Sequence, residues 1–186
     1  MEEMNARKTP VSYEIKKHLT TLFHGGMPEF SKEVNLISWN RQPPKLDIRR
    51  WENGYPRKGV SLSSLEVQTL FGAFRSYFDD TGSKPYHNPN LDGCAVEDPN
   101  RVSYKIRENL AVLSVSENGY TREVNVISWN HGPEKIDIRS WSPERICTRG
   151  ITLRMSEAMA LYEILKEVSG GSVNLEETVR DHLESA

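Results

Sequence analysis

The sequence predicts an α+β protein made of two repeats, each with four β-strands followed by one α-helix. Residues 34–51 (VNLISWNRQPPKLDIRRW) recur as residues 124–141 (VNVISWNHGPEKIDIRSW). Alternating apolar residues indicate strands in both copies, and a helix-start signal follows the last strand of each. Because half a chain of this length buries only a modest core alone, we expect the repeats to pack together as an intramolecular pseudo-dimer.

The repeat covers most of the chain. Residues 31–51 match residues 121–141 at 13 of 21 positions. The stretch RKGVSLS at 57–63 corresponds to TRGITLR at 148–154. Two copies are too few for a solenoid, which needs stacked neighbours, so a pseudo-symmetric pair is the simpler arrangement.

These matches divide the chain into four parts. The first repeat occupies 1–80 and the second 101–170. Between them, 81–100 is dense in Gly, Pro, Asn and Asp and is typical of a linker. The tail, 171–186, can add a short helix. A flexible tether between two independent domains stays open as the alternative.

In the first repeat, alternation and turn residues predict strands at 12–23, 32–39, 45–51 and 59–62. In the third strand, Leu46 and Ile48 face one side, and Lys45, Arg49 and Trp51 face the other. Ser63 and Glu66 then form a capping box. The helix that follows is predicted to bury one face, partly against the other repeat: Val67, Leu70, Phe71, Phe74 and Tyr77.

The second repeat follows the same order. Strands are predicted near 103–115, 122–129, 135–141 and 150–153. Ser156 is expected to cap a helix that ends at Gly170 and Gly171. Its predicted buried face carries Ala158, Leu161, Tyr162, Leu165 and Val168.

The net charge of −2 conceals a segregated pattern. Residues 31–61 carry +4 (seven Lys or Arg, three acids), residues 121–150 carry +1 (five against four), and residues 155–186 carry −5 (two against seven). Aromatic rings interleaved with Lys and Arg on an open sheet suit single-stranded nucleic acid, because bases stack on rings and phosphates meet cations. A merely solvated sheet face is the alternative.

Other functional classes lack support in the sequence. It contains no dinucleotide-binding, P-loop or HExxH motif, so we predict no enzyme and no cofactor. Cys94 and Cys147 lack CxxC spacing, which argues against zinc, and they are not a disulfide framework, which favours a reduced intracellular compartment. Asp47 and Asp137 are expected to pair with neighbouring cations rather than form a catalytic dyad. No apolar run is long enough to span a membrane, and the N-terminus is not a secretory signal.

The run LDIRRW followed by RKGVSLS resembles the transcriptional coactivator family named positive cofactor four. The second copy, SWNHGPEKIDIRSWSPE followed by RGITLR, is even more similar to the short bacterial members of that family. The resemblance covers both repeats and implies a curved four-stranded antiparallel sheet followed by a helix. It also implies a pair of sheets that holds single-stranded DNA in a groove, with the two copies here replacing the homodimer.

The resemblance implies a set of nucleic-acid contacts, equivalent in the two repeats. Two arginines should meet phosphate or base, two tryptophans should stack on bases, and the cation just before the glycine of each repeat should line the groove: Arg49, Arg139, Trp51, Trp141, Lys58 and Arg149. Lys45 and Lys135 are further cations on the same strand face. Lys32 and Arg122 begin the second strand of each repeat and are weaker candidate contacts. Trp39 and Trp129 are open between the core, which strand parity favours, and the DNA surface.

The sequence therefore favours sequence-tolerant binding of single-stranded DNA, in transcription, replication or repair. RNA binding and a protein-interaction module on the same fold are the alternatives, and transcription or replication proteins are further candidate partners. We expect a monomer with an internal pseudo-dimer, with a homodimer of the whole chain left open. The resemblance implies a cytoplasmic, nucleoid-associated protein if the source is bacterial and a nuclear protein if it is eukaryotic.

Overall fold

Four strands in chain order form the first sheet. The computed structural model describes residues 11–84, 86–97 and 102–169. The strands are β1 (Tyr13–Gly25), β2 (Phe30–Trp39), β3 (Lys45–Glu52) and β4 (Tyr55–Leu62), each antiparallel to the next, followed by helix α1 (Ser64–Phe78). The last strand begins earlier than predicted, because Asn53 and Gly54 form a two-residue hairpin turn with φ of 52° and 77°.

The second sheet repeats this order with one added strand. It consists of β5 (Ala95–Val96), β6 (Tyr104–Val115), β7 (Thr121–Trp129), β8 (Lys135–Trp141) and β9 (Cys147–Leu153), and helix α2 (Met155–Ser169) follows. The predicted α+β class, with two antiparallel sheets each followed by a helix, is confirmed. The short β5 and a 3-10 turn at Pro89–Leu91 come from the predicted linker, so part of that segment is ordered against the second sheet.

Both sheets are bent at their first long strand. Register shifts interrupt the pairing of β1 with β2 at three places, and β6 with β7 at the three equivalent places. Each β-bulge bends the strand and increases its twist. On the second sheet, a few side chains of the outer face, away from the helices, form a small buried cluster of their own that includes Tyr104 and Trp141.

Helix α1 begins as predicted. The Ser63 hydroxyl accepts from the Glu66 amide, and the Glu66 carboxylate accepts from the Ser63 amide at 2.9 Å. Val67, Leu70 and Phe74 are buried. The predicted Phe71 and Tyr77 lie partly buried at the edge of the same core.

Helix α2 buries the five predicted side chains, but its start differs from the prediction. Ser156 lies within the first turn, and Arg154 precedes the helix. The amide of Arg154 donates to the Glu157 carboxylate at 2.7 Å. A carboxylate on the first turn thus does the capping that the sequence assigned to the serine hydroxyl. The end predicted at 170–171 and the helix predicted in 171–186 lie outside the described residues.

One hydrophobic core joins the two repeats. Side chains of both helices and of the inner faces of both sheets form a single buried cluster, including Leu46, Leu70, Ile138 and Leu161. The hydroxyl of Tyr162 in the second repeat donates to Asp79 of the first at 2.7 Å. The two repeats therefore pack against each other through a shared core, as the predicted pseudo-dimer requires.

Within the described parts of the chain, neither helix is long and apolar enough to cross a membrane.

Candidate nucleic-acid interface

An arginine on β3 and its equivalent on β8 are held by a buried aspartate two residues earlier. Arg49 donates from Nε and Nη2 to the two oxygens of Asp47 at 2.6 and 2.7 Å. Arg139 binds Asp137 in the same way at 2.5 and 2.8 Å. Burial alone would lower the pKa of Arg139, but the hydrogen bond and charge of Asp137 outweigh it and raise that pKa. The predicted pairing of both aspartates with neighbouring cations is confirmed.

Each of these arginines crosses a glycine on the neighbouring strand. A Cβ at Gly59 would lie 2.2 Å from Cβ of Arg49, and one at Gly150 would lie 2.1 Å from Cβ of Arg139. Only a residue without a side chain lets the arginine pass over the β4 or β9 backbone. The glycine in each Lys/Arg-Gly pair is therefore needed to hold the arginine of the neighbouring strand in this position.

The edge strands β4 and β9 border a groove between the two repeats. Its volume is about 760 Å³. Six cationic residues line it, and its lining contains no aspartate or glutamate: Arg49, Arg57, Lys58, Arg122, Arg139 and Arg149. Five of these six are sequence-predicted contacts, so the structure brings much of the predicted set to one place.

Most of the groove arginines are already paired with acids. Arg57 donates to Glu52 at 3.0 Å. By contrast, Lys58 and Arg149 are exposed and make no ion pair with any residue that the structure describes. Lys45 on β3 is exposed and Lys135 on β8 is half-buried; neither makes an ion pair with a described residue, and neither lines the groove. Lys58 and Arg149, one from each repeat, are therefore the cations of the groove lining that are not paired with a described acid.

The structure corrects the prediction for two of the tryptophans. Trp51 is 6% exposed and Trp141 is 0% exposed, so neither ring is an open stacking platform. Both face the predicted side of the sheet, but the bent first strand covers them: the ring of Tyr13 lies 5.5 Å from Trp51, and that of Tyr104 lies 4.8 Å from Trp141.

The two ambiguous tryptophans are the more accessible ones. Trp39 and Trp129 are half-buried, on the same outer face as the arginines. The guanidinium of Arg49 lies 4.5 Å from the ring centroid of Trp39, and Arg139 lies at the same distance from Trp129. The indole of Trp39 also donates to Asp47 at 3.2 Å. One face of each ring is thus already occupied by an arginine.

Lys32 and Arg122 hold the repeats together. Lys32 donates to Glu157 of α2 at 2.7 Å, and Arg122 donates to Glu66 of α1 at 3.1 Å. The predicted phosphate contact for Lys32 is therefore wrong in this structure, because its ammonium is bound to a nearly buried carboxylate of the other repeat. Arg122 lines the groove, but its guanidinium is also bound to Glu66, a carboxylate of the other repeat.

Sequence reasoning missed two arginines. Arg57 was overlooked although it directly precedes Lys58 in the quoted motif. Arg145 lies in a segment where the repeats diverge, and it binds Glu123 at 2.5 Å with its guanidinium 4.6 Å from the Trp141 ring centroid. Comparing the aligned positions 54 and 145 would have shown a glycine replaced by an arginine.

Among the residues that the structure describes, no group of three or more His, Cys, Asp or Glu side chains is placed to hold a metal ion. Cys94 and Cys147 are both free thiols.

The chain is similar to a known protein over part of its length. No known protein-family profile matches the chain. A protein of Treponema pallidum (strain Nichols), described only as an uncharacterized protein, is 43% identical over 67 residues, which are 36% of this chain and 79% of that protein. The aligned stretch is about the length of one repeat. The chain therefore belongs to the same family as this uncharacterized Treponema pallidum protein.

Proposed function

We propose that the chain binds single-stranded DNA, with little sequence preference, in the groove between β4 and β9. The observation that carries the proposal is the groove itself, with six cations and no acid in its lining. Nucleic-acid backbones bind such surfaces because each phosphate neutralised releases counterions. The resemblance to positive cofactor four supports the same function and the same host processes, which are transcription, replication or repair.

The shape of the groove favours a single strand over a duplex. Proteins that read duplex DNA place a protruding helix or β-ribbon in the major groove. Here the cations lie in a recess between two edge strands, and Lys58 and Arg149 face it from opposite repeats. A flexible single strand can enter the recess and contact both repeats at once.

Phosphate contacts, rather than stacking, should dominate the affinity. Trp51 and Trp141 are buried, so only Trp39 and Trp129 can offer indole surface to a base. Four of the predicted cations make no ion pair with a described residue, and two of them line the groove. The slope of log K against log salt should therefore lie between about −1.4 and about −3, at about −0.7 for each phosphate neutralised. This shallow slope distinguishes a compact site from an extended basic surface.

The test is a double substitution at the groove, Lys58→Ala with Arg149→Ala. Loss of two phosphate contacts should weaken binding of a fluorescein-labelled oligo-dT and make the salt slope less negative by about 1.4. Fluorescence anisotropy at several salt concentrations measures both quantities. The matched control is Lys17→Ala with Lys105→Ala, which removes the same charge from exposed lysines on β1 and β6 that make no ion pair with a described residue.

If the two double variants lose the same affinity for oligo-dT, binding depends on the overall charge of the protein and not on the groove, which would contradict the proposal. Duplex DNA and oligo-U are titrated alongside oligo-dT. Tighter binding of oligo-U would move the assignment to RNA. No binding of any nucleic acid by a folded protein would leave the protein-interaction module as the function.

The two single substitutions also test the role of ion pairing. The residue count of +4 against +1 predicts a stronger effect in the first repeat. The groove lining instead contains one cation from each repeat, Lys58 and Arg149, that makes no ion pair with a described residue. Lys58→Ala and Arg149→Ala should therefore weaken oligo-dT binding to a similar extent, and a several-fold larger effect of Lys58→Ala would favour the simple charge count.

A further inference from the structure

The two repeats differ at one corner of the outer face, where the strand hairpin meets the start of the first long strand. In the second repeat this corner is filled by the chain's own Arg145. Its guanidinium binds both oxygens of Glu123, at 2.5 and 3.1 Å, and lies 4.6 Å from the ring centroid of Trp141. Its carbonyl accepts the Tyr104 hydroxyl at 3.0 Å. The corner is a complete guanidinium site, with a carboxylate fork and an aromatic face.

In the first repeat the equivalent position is a glycine. Gly54 aligns with Arg145, and its carbonyl accepts the Tyr13 hydroxyl at 3.3 Å as the Arg145 carbonyl accepts that of Tyr104. Both residues have left-handed backbone, with φ of 77° and 61°. A Cβ built on Gly54 meets no atom within 4 Å. The residue at this corner is therefore left-handed in both repeats and accepts from the equivalent tyrosine, although the hairpin of the second repeat is one residue longer. In the first repeat the corner residue has no side chain.

The carboxylate of the first repeat is oriented for a ligand all the same. Glu33 accepts from Ser31 at 2.6 Å and from Asn35 at 3.2 Å. Glu123 is held by the equivalent hydroxyl and amide at 2.5 and 3.0 Å. The Glu123 side chain is 0% exposed, whereas that of Glu33 is 23% exposed and borders open space. Two fixed acceptor oxygens are thus presented with no arginine on them, and the nearest ring nitrogen, Nδ1 of His18, lies 3.8 Å from one of them.

The open space is a cleft of about 370 Å³, at the lower end of the range for small-ligand sites. Its walls combine aromatic rings and acids: Tyr13, Phe30, Trp51, Glu29 and Glu33, with His24 at the rim. Anions are disfavoured by the two carboxylates. A planar guanidinium matches both the fork and the ring, and an ammonium matches only the charge.

The neighbouring strand edge indicates a ligand that belongs to a peptide. In the second repeat, β5 pairs along the start of β6, with Ala95 opposite Lys105 and Val96 opposite Tyr104. In the described part of the first repeat, no strand pairs with the corresponding edge of β1. An extended segment can add to such an edge through main-chain hydrogen bonds while one side chain enters a pocket.

We propose that the first-repeat cleft binds an arginine side chain of a partner protein, presented on an extended segment along β1. The second repeat contains its own version of this complex, with Arg145 in the cleft and β5 on the edge. The site is separate from the basic groove and opposite in charge, so it does not depend on nucleic-acid binding.

The test uses a short peptide, acetyl-Ser-Val-Arg-Val-Ser-amide, and its lysine and citrulline counterparts. Isothermal titration calorimetry measures affinity and stoichiometry on the full chain. We expect one site that prefers the arginine peptide over both counterparts by at least about tenfold, because a charge-assisted fork is lost in each. Equal binding of the three peptides, or no binding of any, would overturn the proposal.

Three variants locate the site. Glu33→Gln should reduce affinity at least about tenfold, since it removes the charged acceptor. Gly54→Arg should block the cleft as Arg145 does in the second repeat. Arg145→Gly should open the second corner and raise the stoichiometry towards two. Thermal melts establish that each variant is folded, and parent-like binding by both folded Glu33→Gln and Gly54→Arg proteins would contradict the assignment.

One further variant identifies the source of the arginine. Arg7 lies six residues before Tyr13 in the sequence and carries the same side chain as the proposed ligand. If the peptide binds only after Arg7→Gln, the cleft serves the chain's own N-terminal segment and the partner assignment is overturned. Unchanged peptide affinity in Arg7→Gln supports a partner.

Discussion

The Asp-Ile-Arg motif places a buried charge where the sequence suggested an exposed one. Asp47 is 0% exposed and accepts from Arg49, from Ser61 at 2.6 Å and from Trp39. This network fixes the arginine over the indole ring and leaves little of its charge free. Strand parity assigns Arg49 and Asp47 to the same face, but parity cannot show that the aspartate is fully buried, because the Ser61 hydroxyl that also binds it comes from another strand.

Removing this carboxylate should therefore affect stability more than binding. Asp47→Asn leaves the Arg49 guanidinium largely buried without its counterion, and we expect the free energy of unfolding to fall by about 3 to 5 kcal/mol. Urea unfolding followed by circular dichroism measures the change. Glu134→Gln, which breaks the exposed pair with Arg107, is the control and should change stability far less, because solvent screens that pair. Similar costs for the two variants would mean that the Asp47 network is not a buried ion pair.

At the scale of elements, local signals predicted most of the fold. The capping box fixed the start of α1, and the alternation in β3 and β8 gave the correct inner residues. Two features had no local signal. The strand β5 is only two residues long, and the bulges that bend β1 over Trp51 depend on pairing with β2. Burial of Trp51 and Trp141 on the outer face follows from that bend and could not be predicted from period alone.

Helix α1 gives the prediction at this scale. Leu70 is 0% exposed in the shared core, so Leu70→Ala should lower the free energy of unfolding by about 2 to 5 kcal/mol through the cavity that it leaves. Leu65 lies on the same helix and is 69% exposed. Leu65→Ala should change stability by less than about 0.5 kcal/mol. Chemical denaturation of both variants measures the two free energies of unfolding. A loss below about 0.5 kcal/mol for Leu70→Ala would show that the helix does not pack in the core.

At the scale of the whole molecule, two reciprocal ion pairs cross between the repeats. Lys32 binds Glu157, and Arg122 binds Glu66, which also accepts from Ser114 at 2.7 Å. The duplication in the sequence predicted that the two halves of the chain would associate. It could not predict these pairs, because both cations stand beside the motif and read equally well as phosphate ligands.

The Glu66 pair should make the protein sensitive to acid. Burial alone would raise the pKa of Glu66, but its hydrogen bonds to Ser114 and Ser63 and the charge of Arg122 lower that pKa below the ordinary value of 4.5. A lowered folded-state pKa stabilises the protein above the unfolded-state value, and this contribution is lost as the pH falls through the folded-state pKa.

Glu66→Gln should therefore reduce stability at pH 7 by about 1 to 3 kcal/mol. The difference from the parent should narrow as the pH falls below about 4.5. Urea midpoints measured from pH 7 to pH 3 test this, with the exposed Glu163→Gln as the control. A difference that stays constant over this range would show that the Glu66 charge does not contribute to the pairing.

Joining both halves of the pseudo-dimer in one chain also changes how the protein responds to dilution. A pair formed from separate copies dissociates as its concentration falls, and its melting temperature falls with it. Here the contact between α1 and α2 forms within a single molecule, so its equilibrium contains no concentration term. The groove between β4 and β9 should remain assembled at the low nanomolar levels where two separate copies would come apart.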